Sequence, residues 1–176
     1  MIKHVLLGSA IITAGMAGII GYKQTHRPPV PQPLVTVEKH ACTVNQGLPD
    51  PICTPGVVNP KVTQDNIQKT ICVSGYTKTI RPPVSYTNKL KLEQMKEYGL
   101  DGNPSNYEED HLISLELGGS PDDPKNLWPE FPASPNAKDH LENVLHTLVC
   151  NKTITLEEAQ QSISSNWIKA YEKYAQ

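Results

Sequence analysis

Four cysteines restrict the fold of this chain more than any other feature, because they stand at widely separated points of a short sequence. They are Cys42, Cys53, Cys72 and Cys150, in a chain of 176 residues. Their even number and their position after an export-type segment favour disulfide bonds, and no Cys-x-x-Cys or Cys-x-x-His spacing indicates zinc. Three pairings are open, although a bond between Cys72 and Cys150 would close a long loop and join the ends of the domain.

The export-type segment is an uncharged apolar run over residues 5–22, which follows Lys3. A positive start followed by an apolar run is the form of a secretory signal, and the run is also near the minimum length of a membrane span. We expect residues 1–22 to be a signal peptide or an N-terminal membrane anchor. The protein would then be periplasmic or secreted, or held at the inner membrane through residues 5–22 alone.

A proline-rich stretch separates this segment from the cysteines. Residues 27–33 read Arg-Pro-Pro-Val-Pro-Gln-Pro, which is typical of an extended polyproline II spacer without a core. We therefore expect a linker over residues 23–41 and one folded domain over residues 42–176, acting as a monomer.

The charge balance excludes one class of function. The chain has 16 Lys and Arg against 18 Asp and Glu, a formal net charge of −2. Polybasic nucleic-acid binders take their affinity from many phosphate contacts, which this balance does not supply. No predicted helix is both basic and exposed like a recognition helix, so any cleavage of nucleic acid should be weakly sequence-selective.

Periodicity and capping signals predict four helices and one early strand. The predicted helices span residues 64–69, 88–98 (capped by Thr87 and ended by Gly99) and 136–150, with a last one starting at Thr155. The predicted strand spans residues 71–80 and ends at Pro82-Pro83. Asp139, Asn143 and His146 share one face of the 136–150 helix.

Residues 107–119 carry the pattern that points to chemistry. Three acidic residues lead into His111, and we expect a short apolar strand after it, followed by a turn at Gly118-Gly119. A neutral imidazole can accept a proton from water, and the adjacent Asp110 carboxylate can bind a divalent metal through oxygen. Together they suit metal-assisted hydrolysis of a phosphodiester, for which Asp139, Asn143 or His146 could complete the metal site.

Asp110-His111, Gly118-Gly119 and Asn126-Leu127 resemble the core of the HNH, or His-Me finger, nucleases, a ββα-metal hairpin and helix. The wider chain resembles small exported bacterial HNH-like proteins over about residues 53–170. The shared phrases are Cys53-Thr54-Pro55-Gly56, Ile71-Cys72-Val73-Ser74-Gly75-Tyr76, Arg81-Pro82-Pro83-Val84-Ser85-Tyr86, Asp110-His111-Leu112-Ile113, Asn126-Leu127-Trp128-Pro129 and Lys138-Asp139-x-Leu141-Glu142-Asn143. The resemblance implies a small α+β domain, held by disulfides, with additional helices around that core.

The resemblance also implies roles for individual residues. His111 would be the general base, Asp110 a metal ligand, and Asn126 would bond across the hairpin loop and orient His111. Asn143 is the first choice for the last ligand, with Asp139 and His146 as alternatives. One divalent ion (Mg²⁺, Mn²⁺ or Zn²⁺) and a nucleic-acid substrate, DNA or RNA, are implied with them.

The sequence leaves two other functions open. HNH proteins often place the last ligand in a Cys-x-x-His or His-x-x-x-His context, which this chain lacks, and residues 129–135 separate Asn126 from the helix. A non-catalytic cell-envelope protein that keeps an HNH-like scaffold for binding is therefore the alternative. A third hypothesis is a hydrolase that uses the same Asp-His unit on another phosphodiester or on cell-wall material.

Overall fold

Helices are the main regular structure in the described part of the chain, residues 40–176 of a computed structural model. The α-helices are α1 (Tyr76–Ile80), α2 (Val84–Glu97), α3 (Ala137–Cys150) and α4 (Leu156–Tyr174). Two antiparallel strands, β1 (Glu108–His111) and β2 (Leu127–Glu130), form the only sheet among these residues. Short 3-10 helices lie at Gln64–Lys69, Pro104–Asn106, Leu115–Leu117 and Pro124–Asn126. The chain is thus a small domain of mixed helices with a two-stranded sheet.

The described residues begin near the predicted domain boundary. The predicted signal or anchor at residues 1–22 lies outside them, as does the predicted linker up to residue 39. Within residues 40–176, no helix combines the length and the apolar character that crossing a bilayer requires.

Both predicted disulfides form, and the structure selects one pairing of the three. Cys42 bonds to Cys53, and Cys72 bonds to Cys150. The first closes a separation of 11 residues in sequence and the second a separation of 78. The longer bridge connects the segment before α1 to the last residue of α3.

The hydrophobic core lies between α3 and α4. Leu141, Leu145 and Val149 recur at helical spacing on α3 and are completely buried, and Ile163 of α4 packs in the same cluster. The side chain of Asn136 accepts hydrogen bonds from the first N–H groups of α3. The helix predicted over residues 136–150 is confirmed, because its apolar spacing and its cap agree.

The strand predicted over residues 71–80 is wrong. The chain makes turns from Ile71 to Gly75 and then forms α1, which ends before Pro82-Pro83 as the prolines require. Gly75, with φ of +85°, is the residue before the helix, and an alternating pattern across two turns imitated a strand. Thr87 is not a cap either, since α2 already starts at Val84 and Thr87 lies within the helix.

The strand expected after His111 lies earlier, in the acidic run itself. β1 spans Glu108–His111 and pairs with β2, with Glu108 opposite Glu130 and His111 opposite Leu127. The apolar residues 112–117 instead bend into a 3-10 helix and enter the core. A side chain at Gly119 would overlap the carbonyl oxygen of Ile113, so this turn requires glycine.

Candidate functional site

Three carboxylates gather on one face of the β1–β2 hairpin. Side chains alternate along a strand, so Glu108 and Asp110 share a face of β1, and Glu130 joins them from the opposite position on β2. Their carboxylate oxygens lie within 4.8 Å of one another. We call these three residues the hairpin carboxylates. Their oxygens could hold one metal ion.

Among residues 40–176 there are two other groups of side chains whose potential metal-ligating atoms lie within 4.8 Å of one another. They are Cys72 with His146 and Cys150, and His40 with Asp50 and Cys53. Every cysteine in these two groups is bound in a disulfide, so neither group offers a thiolate. The hairpin carboxylates are therefore the one group in this part of the chain whose three ligands are all free of covalent bonds.

Lys138 lies against the hairpin carboxylates, a contact that the sequence patterns did not predict. It stands in the first turn of α3, and its Nζ lies 2.6 Å from Asp110 Oδ2 and 2.5 Å from Glu142 Oε1. The ammonium also donates to the carbonyl oxygen of His111 at 3.0 Å, and the side chain is completely buried. One signal could have found it: Lys138 precedes Leu141 by three residues, in phase with the buried face of α3.

The cluster contains more carboxyl groups than ammonium groups. Glu108, Asp110, Glu130 and Glu142 bring four carboxyl groups to the single ammonium of Lys138. Burial and the neighbouring Asp110 raise the pKa of Glu130 to about 9. Burial also raises the pKa of Glu142 to about 8, although the charge of Lys138 opposes it. The cluster therefore favours either protons or an added cation.

His111 is held in one tautomer. Its Nε2 lies 2.9 Å from the carbonyl oxygen of Pro121. A carbonyl only accepts, so Nε2 carries the hydrogen and Nδ1 of the neutral ring keeps its lone pair. Burial lowers the pKa of His111, although its hydrogen bond to Pro121 and the charge of Asp110 oppose this effect. The neutral ring of His111 can therefore accept a proton at Nδ1.

Asn126 connects the two ends of the loop that follows β1. Its Oδ1 accepts from the backbone N–H of Ile113 at 3.0 Å and of Val57 at 3.3 Å. Its Nδ2 donates to the carbonyl oxygens of Ile113 and Ser120, at 3.0 and 2.9 Å. The side chain is completely buried. Asn126 thus fixes the loop that carries the Pro121 carbonyl, and through it the ring of His111.

Asn143, the first choice for the last metal ligand, lies away from the hairpin carboxylates. It is exposed, and its amide donates to the backbone oxygen of Asp139 at 2.7 Å. Lys138 faces Asp110, and five residues at about 100° each turn Asn143 roughly 140° away from that direction.

The two alternative ligands also have other partners. The carboxylate of Asp139 accepts from the Ser134 hydroxyl and from the backbone N–H of Asn136, where it completes the cap of α3. His146 donates from Nε2 to the carbonyl oxygen of Ile71 at 3.0 Å. Neither residue belongs to the group of ligands around Asp110.

No protein-family model, curated protein or solved structure matches this chain. The likeness to HNH nucleases therefore rests on the sequence phrases quoted above.

Glu109 is a further buried acid that sequence patterns did not single out. It lies on the face of β1 opposite to Asp110, and both of its carboxylate oxygens are buried without a hydrogen-bond partner. Burial raises the pKa of Glu109 to about 8, with a further contribution from Asp110 and an opposing one from Lys91. Neighbouring side chains of a strand point to opposite faces, so the three consecutive acids place carboxyl groups on both faces of the hairpin. This alternation is the signal that could have separated Glu109 from Glu108 and Asp110.

Proposed function

We propose that this protein is a metal-dependent, HNH-type endonuclease that hydrolyses phosphodiester bonds of DNA with low sequence specificity. The observation that best supports the proposal is the state of His111. Its Nε2 hydrogen is committed to Pro121, burial lowers its pKa, and it directly follows Asp110 in the chain. A general base needs a lone pair that is free at the working pH, and Nδ1 of the neutral ring provides one.

The hairpin carboxylates would hold the metal. Oxygen ligands suit Mg²⁺ or Mn²⁺ better than zinc, which prefers nitrogen and sulfur. The excess of carboxylate over ammonium in the cluster also favours a cation there. Such an ion supplies charge that stabilises the phosphoryl oxygens and the leaving oxygen.

The residues of the chain would carry the remaining steps. Nδ1 of His111 takes a proton from water, and the resulting hydroxide attacks phosphorus. The phosphorus–oxygen bond to the leaving sugar breaks, and that oxygen takes a proton from solvent. Asn126 acts as a positioning residue, because its four hydrogen bonds hold the loop that orients His111.

We also propose that the protein acts outside the cytoplasm. Two disulfides in the described residues favour an oxidising compartment, where such bonds persist. Export through residues 1–22, to the periplasm, the medium or the inner membrane surface, agrees with this chemistry.

Lys138 supports one alternative, a non-catalytic cell-envelope binding protein on an HNH-like scaffold. Its ammonium already lies 2.6 Å from Asp110 and neutralises the carboxylate that a metal would use. A scaffold that had lost its metal could be held together by such an internal cation.

Plasmid nicking by the full 176-residue chain, with both disulfides formed, separates the two proposals. We expect supercoiled DNA to relax with Mg²⁺ or Mn²⁺, and His111→Gln to slow this by about 10²-fold or more. Glutamine can still donate to Pro121 but cannot serve as the base. His140→Gln, an exposed histidine of α3, is the matched control and should cleave normally.

The binding-protein alternative predicts no cleavage of the plasmid. Folded protein that leaves plasmid intact with Mg²⁺, Mn²⁺ and Zn²⁺ would exclude the nuclease. Cleavage that persists unchanged in His111→Gln would exclude His111 as the base.

A further inference from the structure

His146 has a free ring nitrogen that faces a carboxylate. Its Nε2 donates to the carbonyl oxygen of Ile71 at 3.0 Å and lies 3.4 Å from Cys150 Sγ. The other nitrogen, Nδ1, keeps its lone pair in the neutral ring and lies 4.0 Å from Glu116 Oε2. The nuclease proposal uses neither residue.

This pair lines an open, largely polar cleft. Glu116 belongs to the 3-10 helix Leu115–Leu117, and His146 lies on α3 across from it. Both line a cavity of about 370 Å³, and the side chains are 28% and 23% exposed for His146 and Glu116 respectively. An ion from solvent can therefore reach the space between them.

A second carboxylate lies beside the same space. Glu142 precedes His146 by four residues, which places the two side chains one helical turn apart on neighbouring positions of α3. Glu142 and Glu116 both line an adjoining cavity of about 170 Å³. One oxygen of Glu142 bonds Lys138, so this carboxylate adds negative charge near the cleft and is not counted among the ligands.

We propose that His146 Nδ1 and Glu116 bind a transition-metal ion of the zinc type, with water molecules completing the coordination. Two ligands on a tetrahedral zinc stand about 3.4 Å apart, given bonds of about 2.1 Å. The pair in the structure is 4.0 Å apart, so a side-chain movement of about 0.6 Å closes the site.

The surroundings of His146 match those of metal-binding histidines. Such a residue commonly donates its second ring N–H to a backbone carbonyl, which fixes the ring and its tautomer. The Ile71 carbonyl fills this role. The nitrogen ligand also distinguishes this site from the hairpin carboxylates, because imidazole favours zinc whereas carboxylates alone favour Mg²⁺ or Mn²⁺. The inference does not depend on nuclease activity.

Calorimetric titration of the oxidised full chain with Zn²⁺ tests the site. The Glu130→Gln variant is used as the background, since it removes one of the hairpin carboxylates. We expect one zinc ion per chain, and at least about tenfold weaker binding in His146→Gln and in Glu116→Gln. His140→Gln, a histidine on the same helix with its ring against Tyr171, should bind zinc unchanged.

Nitrogen-15 spectra of the histidine rings give an independent measurement. Zinc should shift Nδ1 of His146 while its Nε2 hydrogen stays in place on the Ile71 carbonyl. Absence of saturable zinc binding would overturn the inference and leave a solvent-bridged Glu–His pair. Zinc binding that survives in His146→Gln would overturn it equally, whatever the plasmid assay shows.

Discussion

Lys138 and Asp110 form a buried ion pair between the first turn of α3 and β1, with Nζ 2.6 Å from Oδ2 and no exposed surface on the lysine. Burial by itself lowers the pKa of a lysine, but the carboxylates of Asp110 and Glu142 outweigh it and raise the pKa of Lys138. The lysine is thus charged, and it ties the helix to the hairpin at the centre of the proposed nuclease site.

Replacing this lysine should destabilise the domain strongly. Lys138→Met leaves Asp110 and Glu142 buried without their cation, and breaking a buried pair in this way costs about 3–5 kcal/mol. Urea unfolding at pH 7 measures the loss.

The control is the exposed pair of Lys89 and Glu93 on α2, whose side chains are 79% and 58% exposed. Lys89→Met should cost less than about 1 kcal/mol. Equal effects of the two substitutions would show that the Lys138 pair is not the structural link described here.

Because of the buried carboxyl group of Glu109, the free energy of unfolding should fall as the pH rises from about 5 to 8. In the folded chain its pKa is raised from 4.5 to about 8, so the folded state keeps a proton that the unfolded chain releases. The unfolded state then binds fewer protons, and the free energy of unfolding falls with pH over this range.

Glu109→Gln should therefore reduce this slope and stabilise the protein by at least about 1 kcal/mol at pH 8.5, since one pKa unit is worth about 1.4 kcal/mol. Glu130 and Glu142 contribute slopes of the same sign, so the slope shrinks without disappearing. Urea unfolding at several pH values provides the measurement, with Glu172→Gln on the exposed side of α4 as the control. An unchanged slope in Glu109→Gln would contradict the assignment.

Replacing Asn126 should reduce the stability of the protein far more than replacing Asn143. Asn126→Ala leaves an N–H of Ile113 and two carbonyl oxygens without partners, each costing about 1–3 kcal/mol when buried. We expect a loss of at least about 3 kcal/mol and faster amide exchange over residues 113–120. Asn143→Ala removes one exposed hydrogen bond and should change stability by less than about 0.5 kcal/mol. Similar losses in both variants would contradict this account.

The two disulfides should contribute unequally to stability. In the chain-entropy description, closing 78 residues with Cys72–Cys150 is worth about 4.5 kcal/mol, and closing 11 with Cys42–Cys53 about 2.8 kcal/mol. The paired serine substitutions at each bridge, compared by urea unfolding, measure the difference. A larger loss from the shorter bridge would indicate that local packing, and not loop closure, sets the contribution.

The helices that carry the core were predictable from local signals. Leu141 and Leu145 repeat at helical spacing after Asn136, and Thr155 caps α4 by accepting from the N–H of Glu158, so pattern and cap agree. The segment from Ile71 to Ile80 misled the prediction because short turns can mimic alternation over a few residues.

The site was less accessible to prediction because it depends on distant partners. Glu108 lies beside Glu130 only once β1 pairs with β2, and local composition gives no sign of this register. From composition alone, Lys138 resembles an ordinary surface lysine. Only its spacing of three residues before Leu141 indicates that it lies on the buried face of α3. The sequence correctly places Asp139, Asn143 and His146 on one face of a helix. The orientation of α3, however, brings Lys138 and not these residues against Asp110.

The bond between Cys72 and Cys150 also makes a closed covalent ring of the chain between them. Every side chain proposed to act in hydrolysis or in zinc binding lies within that ring, whereas α4 lies outside it and is joined at a single end. One cut by a protease anywhere along the ring would leave both pieces linked until a reductant arrives. A single cut in the backbone between Cys72 and Cys150 would therefore not separate the proposed site residues into two fragments, as it would in a chain without this disulfide.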